Sequence, residues 1–448
     1  MNETSFPIAF EQSLDGLPGV DAGALLRALR TSPPVSIRYN KAKRALPAAA
    51  ARVPWCNTGV YLPDRPVFTL DPLWHGGAYY VQEASSMAVA QLTGILSSLG
   101  ERCRVLDLCA APGGKSTLLA SLLPADGLLV SNEVIRSRAA ILLENLVKWG
   151  APNVVVTTAD PKQFAALPAF FDLLLVDAPC SGEGLFRKEL EAVHEWSEAN
   201  VQRCADRQRC IVADAWDTLR DGGIVVYSSC TFNRHENEET VQWIVRQLGA
   251  ECLPLPLDPA WGIVESDSGY RFYPHRLQGE GFFISVLQKR SPHTPHPLKA
   301  IKTPRPATAA LDVAQIGRWL HGAFVPMLKN RLIYALPQAQ QSAIAQLLAH
   351  LPVLQAGVPA GERKGNDTTP TTALALSIAC RREAFPCVTL SLPEAIRYLR
   401  RENIHFPDAP NGYLLVTYDN LPLGFAKKIG HRTNNLFPMQ WRIRMDGV

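Results

Sequence analysis

The sequence contains no run of about 18 uninterrupted apolar residues, and its first residues show neither a basic start nor an apolar stretch. The first absence excludes a transmembrane helix, and the second excludes a cleavable secretory signal. We therefore expect a cytoplasmic protein with no membrane partner. The ten cysteines include no C-x-x-C pair and no spacing typical of metal ligands, which favours free thiols and argues against disulfides and a bound metal.

Fingerprints for phosphate-rich nucleotides are also absent or incomplete. The dinucleotide pattern G-x-G-x-x-G does not occur. Gly114-Lys115-Ser116 matches the end of a P-loop, but Cys109 stands where the first glycine of that motif is required. A P-loop nucleotide-binding protein is therefore a weak alternative for this chain.

The 448 residues are enough for two or three domains, and 47% of them are hydrophobic, as expected of a folded chain. Prolines are dense from Lys289 to Pro306, which predicts an extended linker because such a segment cannot join a helix or an inner strand. A softer boundary lies near residues 90–103. The stretch 357–372, rich in Gly, Thr and Pro, predicts a surface loop. We expect an N-terminal region at 1–95, a central domain at 96–290, a linker at 291–310 and a C-terminal domain at 311–448.

Charge is unevenly distributed along the chain, although the net charge is only +4. Residues 291–448 carry 18 lysines and arginines against 9 acidic residues, a surplus of +9. Because the whole chain has a net charge of +4, the first 290 residues have a net charge of −5. A basic appendage beside an acidic domain indicates phosphate binding. An ordinary solvated surface remains the alternative on charge alone.

Short apolar runs alternate with helical stretches through the central domain. Such runs suit strands that are buried on both faces, and the alternation predicts a doubly wound parallel α/β sheet. The expected strands are 105–108, 128–131, 154–157, 173–176 and 224–227. The expected helices include 139–149 and 201–219, and two later runs, 271–273 and 282–286, could form an antiparallel edge hairpin.

Three loops with reactive side chains follow strands of this predicted sheet, at residues 107–116, 177–182 and 228–232. The second loop contains Cys180 and the third contains Cys230. Ligands of open parallel sheets bind in the crevice outside the carboxyl ends of the strands. We therefore expect the three loops to form a single site.

Carboxylates at successive strand ends suggest which cofactor this site holds. Asp107 ends the first strand beside a glycine pair, Glu133 ends the second, where it could bind both hydroxyls of a ribose, and Asp160 ends the third. Few groups in these loops are suited to phosphates, so a nucleoside cofactor without polyphosphate fits, and S-adenosylmethionine meets that description. Each carboxylate taken singly could instead be a helix cap.

Specific motifs in these loops resemble a known family. Asp107 to Lys115, Asp177 to Cys180 and Ser229-Cys230-Thr231 resemble the motifs of the RNA cytosine-C5 methyltransferases, often called the Nol/Nop/Sun family. The resemblance covers residues 34–290, with further matching segments at 81–86, 274–276 and 279–283.

Beyond the linker, residues 423–428 and 435–438 resemble the PUA-like RNA-binding region of bacterial members that act on 16S rRNA. The resemblance implies a class I, Rossmann-like methyltransferase domain between an N-terminal α/β RNA-binding region and a C-terminal PUA-like domain. It also implies S-adenosylmethionine as cofactor and an RNA partner, 16S rRNA first and tRNA as the alternative. We expect a monomer that binds no metal.

The resemblance assigns roles to the site residues. Carbon 5 of cytosine is too weak a nucleophile on its own, so a thiolate first adds to carbon 6, and covalent catalysis divides the difficult step. In this family the nucleophile matches Cys230 and the thiol that assists release matches Cys180. DNA cytosine methyltransferases use the Pro-Cys thiol as nucleophile, so exchanged roles stay open.

Asp177 is implied to act on ring nitrogen 3 and Lys115 to contact the target base, although Asp177 could instead be satisfied by backbone amides. A non-catalytic RNA-binding protein on this scaffold would leave both intact cysteine motifs without a purpose. The candidate cofactor-binding residues are Asp107, Cys109, Ala110, Ala111, Pro112, Gly113, Gly114, Lys115, Glu133, Arg138, Asp160 and Asp177. Cys109 could equally be a small buried apolar residue.

Basic clusters near both ends of the chain are candidates for gripping RNA, because cations contact phosphates and aromatic rings stack on bases. Solvated surface remains the alternative for each cluster taken singly. The candidates are Arg38, Tyr39, Lys41, Lys43 and Arg44 near the N-terminus, and Arg397, Arg400, Arg401, Lys427, Lys428 and Arg432 in the C-terminal domain.

Overall fold

The structure is a computed structural model that describes residues 5–290, 310–365 and 367–445. Apart from Ala310, the predicted linker lies outside the described residues. The N-terminal region packs helices against a four-stranded sheet of order β2-β3-β1-β4. Its elements are α1 Ile8–Ser13, α2 Ala22–Leu29, β1 Val35–Tyr39, β2 Arg52–Val53, β3 Cys56–Leu62, α3 Pro72–His75 and β4 Tyr79–Val81.

The central domain is built on one large mixed sheet, in which β9, β8, β5, β6 and β7 are parallel neighbours. The strands are β5 Arg104–Asp107, β6 Leu128–Asn132, β7 Val154–Thr157, β8 Phe171–Asp177, β9 Leu219–Ser229, β10 Ala250–Leu253, β11 Val264–Ser266, β12 Gly269–Phe272 and β13 Phe282–Lys289. The helices are α4 Thr93–Ser98, α5 Gly114–Leu122, α6 Arg136–Trp149, α7 Leu190–Glu195, α8 Glu198–Ala215 and α9 Glu238–Leu248.

Helices cover both faces of this sheet. Val105 and Leu106, which are consecutive in β5, point into opposite cores because side chains alternate along a strand. One core contains α5 and α6, and the other contains α8 and α9. The predicted doubly wound α/β fold is therefore confirmed, and so is the antiparallel pairing of β12 with β13. The predicted helix over 201–219 ends earlier, at Ala215, since Leu219 already begins β9.

The C-terminal region forms two small sheets, of order β14-β15-β17-β18 and β19-β20-β21-β22. Its strands are β14 Phe324–Lys329, β15 Leu332–Pro337, β16 Val353–Ala356, β17 Val358–Lys364, β18 Asp367–Pro370, β19 Cys387–Thr389, β20 Gly412–Tyr418, β21 Leu421–Ile429 and β22 Arg432–Asn435. Its helices are α10 Ala310–Trp319, α11 Gln341–His350, α12 Thr372–Leu376 and α13 Leu392–Leu399.

The surface loop predicted over 357–372 is wrong. Most of this stretch forms the paired strands β17 and β18, and Val358 and Ala360 are buried. The partner of β17 is β15, more than twenty residues earlier in the chain. Local composition, rich in Gly, Thr and Pro, could not reveal that distant partner.

One strand of the C-terminal region belongs to the central sheet. β16 pairs antiparallel with β7, and the main-chain N–H of Thr158 donates to the carbonyl of Pro352 at 3.1 Å. Behind this strand, Ile344 and Leu347 of α11 pack in the same core as β6. β16 thus covers the edge of the sheet that β7 would otherwise expose. Among the described residues, no helix is long and apolar enough to span a membrane.

Because this core is shared, Ile344→Ala should destabilise the central sheet as well as the C-terminal region. Ile344 is fully buried, and such a truncation lowers the free energy of unfolding by about 2–5 kcal/mol. Urea unfolding measures the loss, and hydrogen exchange in β6 and β7 should accelerate with it. Ile141→Ala, at an exposed position of α6, is the control, and faster exchange confined to residues beyond 310 would contradict the shared core.

Candidate active site

The three predicted loops meet at one edge of the central sheet, because β5, β8 and β9 are adjacent and parallel and their carboxyl ends coincide. The sulfur atoms of Cys180 and Cys230 lie 3.1 Å apart. The Lys115 ammonium lies 2.7 Å from an Asp177 oxygen. The sequence prediction that these four side chains form one cluster therefore agrees with the structure.

The two thiols are not equivalent. Cys230 lines a cavity of about 410 Å³, whereas Cys180 is not among the described residues that line it. The hydrogen bond with Cys230, together with burial, raises the pKa of Cys180 well above its usual range. Cys180 is consequently held as a neutral thiol beside the sulfur that faces the cavity.

Lys115, in the first turn of α5, and Asp177, the last residue of β8, form an ion pair. Burial lowers the pKa of Lys115, but the attraction of Asp177 outweighs it, so this pKa lies above its ordinary value. The second oxygen of Asp177 accepts a hydrogen bond from the Ser228 hydroxyl at 2.8 Å. The Lys115 ammonium also lies 5.0 Å from the centre of the Phe282 ring, within the range of a cation–π contact.

Buried carboxylates hold the two cysteine loops together. Glu236 accepts hydrogen bonds from the main chain and hydroxyl of Ser181 at 2.9 and 2.5 Å, and from the amide of Asn233 at 2.7 Å. Glu183 accepts from the main-chain N–H groups of Phe232 and Asn233 at 2.7 and 2.9 Å. Each carboxylate thus joins the loop after β8 to the loop after β9, and both are fully buried.

A buried ion pair between Arg271 and Glu238 also holds the loop that contains Cys230. Arg271 of β12 pairs with Glu238 at the start of α9, and its guanidinium donates to the carbonyl of Phe232 at 2.5 Å. Gly184 approaches this loop so closely that a Cβ atom there would lie 2.8 Å from the Cys230 carbonyl oxygen. Only glycine fits at that position.

The cavity is lined by many of the candidate cofactor residues. Those that line it are Asp107, Cys109, Ala110, Ala111, Pro112, Gly114, Lys115 and Asp177. Gly113, the residue before α5, has φ +114°, a left-handed conformation that glycine adopts without strain. A side chain there would also contact Leu142 at 3.3 Å.

Asp107 lies fully buried at the end of β5. Its Oδ2 accepts from the Ser116 hydroxyl at 2.6 Å, while its Oδ1 has no hydrogen-bond partner among the described residues. Burial raises the pKa of Asp107 to about 7, although the Ser116 hydrogen bond opposes the shift. A buried, unpartnered acceptor in a cavity wall is suited to a donor group of a ligand.

The remaining candidates, Glu133, Arg138 and Asp160, are not among the described residues that line the cavity. Arg138 joins two parts of the site, since it lies 3.4 Å from Glu133 and donates to the Ala111 carbonyl at 2.9 Å. Glu133 also accepts from the main-chain N–H of Ile135 at 2.9 Å. Asp160 is exposed and caps the 3-10 turn that follows β7, so the helix-cap alternative describes its contacts here.

The lining of the cavity also contains polar residues to which the sequence analysis assigned no role. Glu280 lies 3.3 Å from Arg187 and 3.7 Å from Lys188, and burial raises its pKa to about 7. The Glu83 carboxylate accepts from the main-chain N–H groups of Ser85 and Glu280 at 2.7 and 2.9 Å. Glu83 and Glu280 fall in motif segments that matched the family, and that was the available signal.

The predicted contact between Arg38 and RNA is wrong, because the Arg38 side chain is fully buried. It donates to Gln82 at 2.7 Å and to Thr117 at 2.5 Å, which ties the N-terminal sheet to α5. Lys43 donates to the carbonyls of Gly76 and Lys148 at 2.9 and 2.6 Å. Burial, with repulsion from Arg382, lowers the pKa of Lys43 to about 7.

Most of the other basic candidates also have partners within the chain, whereas Lys41 and Arg432 are exposed. The internal pairs are Arg44 with Asp419, Arg397 with Glu402, Arg400 with the Met445 carbonyl, Arg401 with the Asn435 carbonyl, Lys427 with Asp367, and Lys428 with the Pro407 and Ala409 carbonyls. The predicted RNA grip of these clusters stays a prediction. The described ranges hold no group of three or more His, Cys, Asp or Glu side chains suited to a metal.

Three family descriptions match successive parts of the chain. The 16S rRNA methyltransferase RsmB/F family matches residues 95–288, the N-terminal domain of 16S rRNA methyltransferase RsmF matches 6–84, and the RsmF PUA domain matches 385–443. The chain is 32% identical to ribosomal RNA small subunit methyltransferase F of Erwinia tasmaniensis, over 88% of this chain and 85% of that protein. The corresponding Cronobacter sakazakii protein is also 32% identical, over 92% and 90% of the two chains.

The chain belongs to this methyltransferase family. Among solved structures, a methyltransferase homologue from Pyrococcus horikoshii is 28% identical, has a TM-score of 0.54, and covers 64% of this chain and 96% of its own. NSun6 from the same organism, solved with SFG, has a TM-score of 0.52 at 20% identity, over 64% of this chain and 100% of its own. The second likeness bears on the fold alone.

The raised pKa of Asp107 predicts a pH-dependent stability difference. The native state keeps this carboxyl protonated at pH values where the unfolded chain has lost the proton, so its stabilising contribution falls as the pH rises from about 4 to about 7. The free energy of unfolding of Asp107→Asn minus that of the wild type should therefore rise over this range, by about 1.4 kcal/mol for each unit of the pKa shift.

Urea titrations at several pH values measure this difference. Asp126→Asn, which removes an exposed carboxylate, is the control and should show no such trend. A constant difference between Asp107→Asn and the wild type from pH 4 to pH 8 would show that Asp107 is ionised in the folded protein.

Proposed function

We propose that this protein transfers a methyl group from S-adenosylmethionine to carbon 5 of a cytosine in RNA, through a covalent bond between Cys230 and carbon 6. The observation that carries the proposal is the position of Cys230. Its sulfur lies in the wall of the cavity that also contains Lys115 and Asp177, and it contacts a second thiol at 3.1 Å. Two thiols and a charged pair around one cavity suit covalent activation of a pyrimidine.

Cys230 is the nucleophile in this proposal, and Cys180 accepts the carbon-5 proton. The thiolate is the attacking species, and the raised pKa of Cys180 disfavours a thiolate on that residue in the free enzyme. The leading cause of that raised pKa is Cys230 itself. Once Cys230 is bonded to carbon 6, that contribution is lost, so Cys180 can release its own proton to solvent and then accept the carbon-5 proton as a thiolate.

Lys115 and Asp177 orient and polarise the base. Attack at carbon 6 places negative charge on the pyrimidine ring, and an ammonium fixed beside the ring stabilises that charge without reorganisation. Asp177 keeps Lys115 protonated and, with Ser228, holds it in place. We assign to this pair the contact with the polar edge of the cytosine, where ring nitrogen 3 lies.

The residues present fit the proposed cofactor, which supplies the methyl group that carbon 5 receives. Asp107 offers a buried oxygen that has no hydrogen-bond partner among the described residues, and Gly114, the first residue of α5, exposes main chain to the cavity. Arg138 forms an ion pair with Glu133 and donates a hydrogen bond to the Ala111 carbonyl.

The names of the relatives favour 16S rRNA over tRNA as the substrate. The PUA domain match at residues 385–443 supports RNA binding, and a cytoplasmic location follows from a ribosomal substrate.

The direct test incubates the protein with S-adenosylmethionine and unmodified 16S rRNA or small subunits, followed by bisulfite sequencing. A new 5-methylcytosine is expected, and methylation found only on tRNA, or only on another base, would overturn the proposal.

Cys230→Ala should abolish methyl transfer and leave the affinity for S-adenosylmethionine within about twofold, because the thiol acts on the base. Calorimetry measures binding and radiolabelled methyl incorporation measures turnover. Cys210→Ala, at an exposed cysteine of α8, is the matched control and should keep full activity. Substantial turnover by Cys230→Ala would show that another group attacks carbon 6.

Cys180→Ala should still permit attack and methyl transfer but stall elimination, since the carbon-5 proton then lacks its acceptor. A protein–RNA adduct that survives denaturation should accumulate and be visible as a shifted band on a denaturing gel. Wild type and Cys210→Ala provide the baseline. If the adduct accumulates with Cys230→Ala instead, the two thiols have exchanged roles.

A further inference from the structure

A second groove adjoins the catalytic cavity on the side of the N-terminal region. It encloses about 550 Å³, a volume that is typical of a pocket for a small organic group. Tyr80 and Val81 of β4 line both spaces, so they form the wall between them. The other lining residues are Arg65, Pro66, Val67, Phe68, Thr69, Trp74 and Asn145.

We propose that this groove binds a nucleotide adjacent to the target cytosine, with its base stacked on Phe68 and its phosphate beside Arg65. The inference rests on the proposed function, because a base that enters the catalytic cavity must leave its stack in the RNA. The neighbouring nucleotides then lose a stacking partner. A groove that shares a wall with the cavity is the nearest surface on which one of them can stack.

The lining chemistry fits a nucleotide in three respects. Phe68, Trp74 and Tyr80 present aromatic rings, on which single-stranded bases stack. The Arg65 guanidinium lies 5.7 Å from the centre of the Phe68 ring, which brings a phosphate contact and a stacking surface together. No aspartate or glutamate is among the described residues that line the groove, so no carboxylate there repels a phosphate.

The contacts of the rings favour Phe68 for this role. Trp74 already has the Lys148 ammonium over its ring at 4.0 Å, and Tyr80 packs beside the first turn of α5. Phe68 is half-buried, and it follows Arg65, Pro66 and Val67, which are all exposed. Phe68 has contacts of its own, with the Arg65 guanidinium at 5.7 Å and the Tyr79 ring at 6.1 Å from its ring centre, but Arg65 is an exposed side chain, so we assign the stacking role to Phe68.

The groove is also connected to the cofactor loop. The Asn145 side chain lines the groove and donates to the Pro112 carbonyl at 2.8 Å, while Pro112 lines the catalytic cavity. A nucleotide bound beside Asn145 therefore lies next to the loop that faces the methyl donor. This placement suits recognition of the sequence context of the target cytosine.

The test measures binding of unmodified 16S rRNA by filter retention, with the full-length protein. Phe68→Ala should weaken binding about 5- to 150-fold, which corresponds to the ~1–3 kcal/mol of one stacked base. Phe68→Tyr should restore it, because tyrosine also has a stacking face, whereas Phe68→Leu, which keeps the apolar bulk, should not. Phe324→Ala, at a half-buried phenylalanine of β14, is the control for a general loss of packing.

Arg65→Ala should weaken binding and lower the slope of log affinity against log salt by about 1, since one phosphate contact is lost. Arg65→Lys should keep the slope, and Arg27→Ala, an exposed arginine of α2, should change neither quantity. Cofactor affinity should stay unchanged in all these variants.

The outcomes separate this inference from the proposed function. If the wild type methylates carbon 5 but the variants bind naked rRNA as tightly as it does, the groove does not hold RNA and the inference is overturned. A loss of activity on small subunits with unchanged binding to naked rRNA would likewise overturn it, in favour of a ribosomal protein. Absence of 5-methylcytosine with the wild type would instead refute the proposed function, whatever the variants bind.

Discussion

The active site depends on two buried carboxylates that join the loops after β8 and β9. A main-chain hydrogen bond joins the two loops, from the N–H of Gly184 to the Cys230 carbonyl at 2.8 Å, and Glu183 and Glu236 add buried side-chain links between them. Glu236 accepts from the main chain and hydroxyl of Ser181, and Glu183 accepts from the main chain of Phe232 and the side-chain amide of Asn233, so each carboxylate is compensated for the loss of water by donors of the opposite loop. The two thiols, which lie 3.1 Å apart, belong to the loops that these carboxylates join.

The same residues also exclude alternative arrangements of the site. Breaking a buried, fully bonded polar network leaves several unsatisfied groups together, so the network forms as a unit or not at all. Arg271 and Glu238 extend it to β12, and Gly184 lets the Cys230 loop lie against the chain from β8. The proposed catalysis by two thiols depends on such rigidity, because a displacement of about 1 Å at a reacting atom lowers the rate about 100-fold.

The surroundings of the site are shared between regions of the chain that are distant in sequence. Arg38, from the N-terminal sheet, supports the first turn of α5, where Lys115 lies. From the C-terminal region, β16 completes the sheet edge next to the turn that carries Asp160. Arg38 is fully buried in these contacts and is therefore unavailable for a phosphate.

The sequence by itself determined the α/β class, the positions of the parallel strands and the convergence of Asp107, Lys115, Asp177, Cys180 and Cys230 at one sheet edge. These follow from local apolar periodicity and from the rule that parallel strands end together. Only the tertiary structure decided which polar residues are buried. In the sequence, Arg38 is predicted to contact RNA, yet in the structure it is buried and donates hydrogen bonds to Gln82 and Thr117. The strand at 358–364 forms because it pairs with residues 332–337. Burial and strand pairing are set by residues far apart in the chain, so no local pattern encodes them.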